Sequence, residues 1–196
     1  MNKILLIVIA VVVVIGGILV LLGVSSYNSL FTKKEAIEAQ WSEVENQLQR
    51  RIDMVTQLVG AVQGVLTQEQ KVFGDIANAR AGLTQALKGG SKQEVIDADN
   101  QLTSTLQRIQ FLSITEAYPE LKSNENVRRL QDEIAGTENR LAVARRDYNQ
   151  TVQDYNTSRG QFPAVIMAGL LGFEREDNYF KAAPGASEAP KVELNK

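Results

Sequence analysis

The chain contains no cysteine and no histidine. The first absence excludes disulfides, thiolate metal sites and a lipid-modified cysteine. The second removes the commonest metal ligand, the commonest general base and the side chain that titrates near neutrality. It also excludes a di-iron bundle, which needs Glu-x-x-His on two of its helices. A strong excess of either charge is missing too. The net charge is −2, acids and bases are interspersed, and no basic patch interleaved with aromatics suggests nucleic-acid binding. No phosphate-cradling glycine loop, nucleophile elbow or metal signature is present. Any catalysis would have to rely on carboxylates, lysine or tyrosine, so no enzyme, cofactor or metal is expected. Proline is scarce, with four residues at Pro119, Pro163, Pro184 and Pro190. The long proline-free stretches are rich in Ala, Gln, Glu, Leu and Arg, and they favour helix.

Against this polar background stands one unbroken apolar run, Ile4 to Val24. As a helix it spans roughly 30 Å, the thickness of a bilayer's hydrocarbon core. A cleaved signal sequence is the alternative. Its apolar region would be shorter and would end at a small-residue cleavage site, whereas this run passes through Gly23-Val24-Ser25-Ser26 into Tyr27. Length therefore favours a retained single span. Orientation stays open, because Lys3 on one flank nearly balances Lys33 and Lys34 on the other. Gly16, Gly17 and Gly23 do not form a Gly-x-x-x-Gly dimerisation motif.

Four further helical segments are expected. The first runs from Thr32 to about Val65, with Thr32 as N-cap and Glu35 completing a capping box. Its apolar stripe steps through Ile37, Trp41, Val44, Leu48, Ile52, Val55, Val59, Val62 and Leu66. The second spans about Thr67 to Leu87 and ends at Gly89-Gly90. A single helix from Thr32 to Leu87 is the alternative for these two. The third begins near Ser91, with Glu94 as capping-box partner, carries Val95, Leu102, Leu106, Ile109, Leu112 and Tyr118, and stops at Pro119. The fourth runs from about Ser123 to Gln161. Its stripe includes Val127, Leu130, Ile134, Thr137, Leu141, Ala144, Tyr148, Val152, Tyr155 and Phe162. The expected fold is all-α: an anchor over 1–26, an antiparallel up-and-down four-helix bundle over 27–180, and a disordered tail over 181–196. In such a bundle the apolar stretch Phe162 to Phe173 returns to the anchor's end. It either caps the bundle or dips into the bilayer surface.

Several ordered motifs resemble the LemA family over roughly Tyr27 to Phe180. They are Trp41-Ser42-Glu43-Val44 with Leu48, Arg50-Arg51, Asp53 and Leu58-Val59; Glu116-Ala117-Tyr118-Pro119-Glu120-Leu121-Lys122-Ser123-Asn124; and Leu130-Gln131, Thr137-Glu138-Asn139-Arg140, Ala144-Arg145-Arg146 and Tyr148-Asn149. Tyr155-Asn156, Phe162-Pro163 and Gly172-Phe173 follow. The resemblance implies a membrane-anchored, antiparallel helical bundle of bacterial type and no enzymatic activity. The chain departs from the family pattern in two places. Val55-Thr56-Gln57-Leu58-Val59 lacks a proline often found there, and Gln68-Glu69 stands where the family often has His-Glu.

The candidate interaction or structural residues are Arg50, Arg51, Asp53, Glu116, Tyr118, Lys122, Glu138, Asn139, Arg140, Arg145, Tyr148, Asn149, Tyr155 and Asn156. The charged ones either line a polar ligand pocket or form paired interhelical contacts, since buried charge is costly unless paired. The Tyr-Asn pairs recur one heptad apart, so both tyrosines share a face. That face is either a seam against the first helix or a docking stripe for another protein. The expected role is a scaffold or protein-interaction module at the bacterial inner membrane, with protein partners and no nucleic acid. The alternative is a small-ligand or signal sensor.

Overall fold

The computed structural model describes residues 3–63, 70–109 and 124–181. Among the described residues there are five helices and no strand: α1 (Lys3–Gln63), α2 (Gln70–Gly89), α3 (Lys92–Ile109), α4 (Glu125–Gly160) and α5 (Ala164–Leu171). The chain is thus all-α. The segment 110–123 and the tail beyond Lys181 lie outside the described residues, so the expected stop at Pro119 and the tail of 181–196 are not described.

The apolar run and the first body helix are one helix. No helix starts at Thr32, and the expected Thr32/Glu35 capping box does not form, because α1 arrives from Lys3 without a break. A capping box serves only where backbone N–H groups lack partners. Here the preceding turn supplies them. The small polar residues at the junction do not interrupt the helix, and Ser26 Oγ donates to its own helix at Leu22 O, 2.8 Å away. Helix also continues through Thr56, where the family often has proline. Its hydroxyl likewise donates to Ile52 O at 2.7 Å. Among the described residues, α1 is the one helix long and apolar enough to cross a membrane. The large apolar side chains of its first part are exposed.

The described residues divide into two compact units. The first comprises residues 3–42 with 147–177, and the second comprises residues 43–63, 70–109, 124–146 and 178–181. In the first unit α1 and α4 share a seam. Leu30, Ile37 and Trp41 are buried on α1, and Tyr148, Val152 and Tyr155 on α4. The rings of Trp41 and Tyr148 meet at 5.3 Å. Phe162 belongs to no such stripe. α4 ends at Gly160, a cis peptide joins Phe162 to Pro163, and the Phe162 ring is exposed.

In the second unit α2 folds back along α1. Arg80 Nη1 donates to Thr56 Oγ1 at 2.9 Å. Phe73 packs against the cluster of Leu58, Val62, Val127 and Leu130. These contacts rule out a single rod from Thr32 to Leu87. The stripe on α1 also differs by one position from expectation, since Leu58 is buried and Val59 only half-buried. Two glycines have defined work. At the α2–α3 turn a Cβ on Gly90 would lie 2.8 Å from Ala86 O, whose carbonyl accepts the Gly90 N–H at 2.7 Å. α3 then begins with the expected capping box. The Ser91 N–H donates to Glu94 Oε2 at 2.7 Å, and the Glu94 N–H donates to Ser91 Oγ at 3.3 Å. These bonds from the Ser91 backbone and hydroxyl hold the Glu94 carboxyl below the usual glutamate range. α4 is capped by Asn124. Its Oδ1 accepts from the N–H groups of Asn126 and Val127 at 3.0 and 3.4 Å.

Gly172 closes α5 in the left-handed region, at φ 71°. The Phe173 N–H reaches Ala168 O at 3.1 Å, as in a Schellman turn. The turn delivers the Phe173 ring edge-on to Tyr27, 5.7 Å away. Gly172→Ala forces a side chain into that conformation and is expected to cost about 1–2 kcal/mol, read as a lower midpoint in urea denaturation of the detergent-solubilised chain.

Candidate functional site: a buried ionic cluster and a clasped C-terminal segment

Two polar constellations stand out, one in each unit. The first centres on a charge that the sequence reading missed. Asp99 lies on α3 in the stripe Val95, Asp99, Leu102, Leu106, and it is 0% exposed. Its partner Arg51 sits between Leu48 and Val55 on α1 and is 1% exposed. Arg51 Nη1 donates to Asp99 Oδ1 at 2.7 Å and to Thr103 Oγ1 at 2.9 Å. Arg51 Nη2 meets Glu138 Oε1 on α4 at 2.6 Å. The other Asp99 oxygen takes Arg145 of α4, whose guanidinium also lies 5.4 Å from the centre of the Phe180 ring. Two arginines and two acids thus neutralise one another across three helices. Among the described residues the Nε atoms of Arg51 and Arg145 find no acceptor.

This cluster gathers some of the charged candidates and leaves others apart. Arg51, Glu138 and Arg145 come together, as paired charge rather than as a solvated face. Arg50, Asp53, Asn139 and Arg140 do not join them. All four are exposed. Asp53 accepts from Gln49 Nε2 at 3.0 Å, and Arg140 donates to Thr137 Oγ1 at 3.4 Å. Glu116, Tyr118 and Lys122 lie outside the described residues. Beside the cluster is a cleft of about 470 Å³, lined by Arg51, Thr103, Gln107, Gln131 and Glu138 with apolar neighbours that include Leu58 and Ile134. Asp99 was recognisable in principle, since an aspartate at a stripe position of an amphipathic helix requires a buried cation.

The second constellation clasps the segment after α5 onto α4. Tyr155 Oη donates to Glu174 O at 2.7 Å. Asn156 uses both ends of its amide on one residue: Nδ2 donates to Glu176 O at 2.7 Å, and Oδ1 accepts the Glu176 N–H at 3.1 Å. Arg159 Nε donates to Phe173 O at 2.6 Å. The carboxamide therefore pairs with the peptide as a neighbouring strand would. Tyr148 is buried against Trp41, and Asn149 beside it is half-buried. Burial raises the Tyr155 phenol above its ordinary value. Arg159 pulls it down, and Glu176 and Glu174 push it up.

Among the described residues no group of three or more acidic side chains could hold a metal. The described residues form an all-helical protein with a long apolar N-terminal helix and two polar clusters.

The chain belongs to the LemA family, whose sequence model matches residues 40–194. It is 26% identical to the magnetosome proteins MamQ 1 and MamQ 2 of Paramagnetospirillum magneticum, over 95% of this chain and 75% of theirs. It is 24% identical to the magnetosome protein MamQ of Magnetospirillum gryphiswaldense, over 85% of this chain and 68% of that one.

Asp99→Ala leaves two guanidiniums facing each other and is expected to destabilise by about 3–5 kcal/mol. Replacing the pair together, Arg51→Met with Asp99→Leu, is expected to cost much less, because the two fully buried charges leave together and the Glu138 and Arg145 that remain are partly exposed. Urea denaturation of the two variants and the parent chain measures the difference. Tyr155→Phe tests the clasp. The folded state keeps the phenolic proton to higher pH than the unfolded state does, so stability falls as pH rises through about 10. The Phe variant should lose about 1 kcal/mol at neutral pH and show a shallower decline in the alkaline range.

Proposed function

We propose that this chain is a single-pass protein of the bacterial cell membrane that presents a helical body as a non-enzymatic scaffold or protein-interaction module. The observation that carries the reading is the continuity of α1. One helix is apolar and exposed on all sides over Ile4–Val24, then narrows to a buried stripe in the body. A helix apolar all round belongs in lipid or in a large core, and here no core surrounds it. The antiparallel contacts of α2 and α4 with α1, and the tight α2–α3 turn, support an up-and-down four-helix arrangement of the body. The magnetosome relatives fit a protein that works at a bacterial membrane assembly. Its charged clusters are spent on internal pairing, which supports a structural rather than a catalytic role.

A second reading, a small-ligand sensor, draws on the cleft beside Arg51 and Glu138, which combines polar and apolar lining. Its volume suits a small metabolite.

Carbonate washing of membranes should leave the intact protein in the pellet; release into the soluble fraction would refute the anchor. In-membrane crosslinking with mass spectrometry should identify protein partners. A metabolite screen by thermal shift on the full chain in detergent should yield no hit. A reproducible shift lost in Gln107→Ala or Gln131→Ala would establish the sensor reading instead. Both side chains line the cleft without belonging to the ionic cluster.

A further inference from the structure

α5 is apolar on every face, reading Ala-Val-Ile-Met-Ala-Gly-Leu-Leu, yet Ala168 is its one buried residue. Such a helix is normally enclosed by protein or by lipid. Protein covers only part of it. Met167 lies over α1 at Gly23, where an added Cβ would stand 3.6 Å from its Sδ and Cε. Phe173 lies against Tyr27. The other side is open, with Phe162 78%, Leu170 74% and Ile166 53% exposed.

Position says what covers it. Gly23 is one residue inside the end of the apolar run, and Tyr27 is three residues beyond it. α5 therefore sits beside the last turn of the span, and its open face continues the surface that the span presents. Among the described residues, the exposed large apolar side chains outside Ile4–Val24 are all in this neighbourhood except Val143. They are Tyr27, Phe31 and members of the 162–171 segment. Aromatic side chains at this level suit the membrane–water interface. No charge occurs from Phe162 to Phe173, while Arg159 and Glu174 flank the segment.

We propose that α5, with Phe162, is an interfacial docking helix that enters the headgroup and upper acyl region of the same leaflet that α1 crosses. The leaflet is the one from which α1 emerges after Val24, and this second membrane contact fixes the depth and tilt of α1 at its exit. This inference rests on the single-span reading above. The occupant is lipid rather than a second copy or a partner protein, because the face is continuous with the lipid-facing span.

The absence of cysteine permits a direct test on the full chain. Single variants Ile166→Cys, Leu170→Cys, Val14→Cys and Glu35→Cys carry a polarity-sensitive fluorophore in phosphatidylcholine–phosphatidylglycerol vesicles. Glu35 is the aqueous reference, about 16 Å along the helix from Val24. Val14 is the mid-span reference, and its lipid quenching is read with nitroxides placed deep on the acyl chain. The labelled positions on α5 are exposed, so folding should survive, and thermal melts verify it. The expected result is blue-shifted emission at Ile166 and Leu170, with loss of most of it to nitroxides placed near the lipid headgroup. Lipid quenching at Val14 with iodide quenching at Ile166 and Leu170 equal to that at Glu35 would overturn the docking helix and leave the anchor standing. Protection of both α5 positions from lipid and iodide alike would also overturn it, in favour of a protein neighbour. Failure of lipid quenching at Val14 itself would remove the anchor, and the docking helix with it.

Discussion

The second unit depends on the pairing of Arg51 with Asp99. Neither charge reaches water, and desolvating each costs several kcal/mol unless geometry compensates. The compensation is specific to register. Arg51 must meet Asp99 and Thr103 on α3 and Glu138 on α4 at the same time, while Asp99 must also reach Arg145. Sliding any of these helices by one turn, about 5.4 Å, would strand a buried charge. Apolar stripes alone tolerate such slips far better, because one leucine layer resembles the next. The cluster therefore selects one alignment among several of similar apolar burial, and the cleft beside it inherits a fixed shape from the same constraint.

How much of this could be read in the sequence depended on whether an interaction was local. The Ser91/Glu94 capping box joins residues three apart, and it forms as expected. Thr32/Glu35 has the same pattern and does not form, because a cap has meaning only where a helix starts, and that depends on what precedes it. The α1 and α4 stripes were visible from periodicity. Leu58 and Val59 are neighbours near the stripe's edge, and only packing against Val127 and Leu130 decides which is buried. Arg51 stood out because it interrupts an apolar face. Asp99 interrupts another and went unread, although its spacing from Val95 and Leu102 carried the same signal. The clasp at Asn156 could not be read at all. Its partner is the backbone of Glu176, and backbone groups are the same at every residue.

That clasp changes the meaning of the Tyr-Asn heptad. A stripe of tyrosines and asparagines on a helix can recruit another protein or be consumed within the chain. Here Trp41 takes the Tyr148 ring, Glu174 takes the Tyr155 hydroxyl, and Glu176 takes the whole Asn156 amide. The chain's own segment occupies the place an extended peptide would fill. In the first unit, the large apolar side chains that stay exposed beyond the span are those on the open side of α5 and the flanking aromatics.

The Schellman turn makes this shift possible. Gly172 reverses the chain within one residue, so Phe173 reaches Tyr27 while Leu170 and Leu171 point away. The following carbonyls are then drawn onto Arg159, Tyr155 and Asn156. A longer connection would let the apolar helix drift or fold over the body's core. The tight turn, anchored on both sides, holds α5 beside the end of α1's apolar part. The family-like pairs Gly172-Phe173 and Tyr155-Asn156 are therefore two halves of one device: the first sets where the apolar helix stops, and the second keeps the chain beyond it on α4.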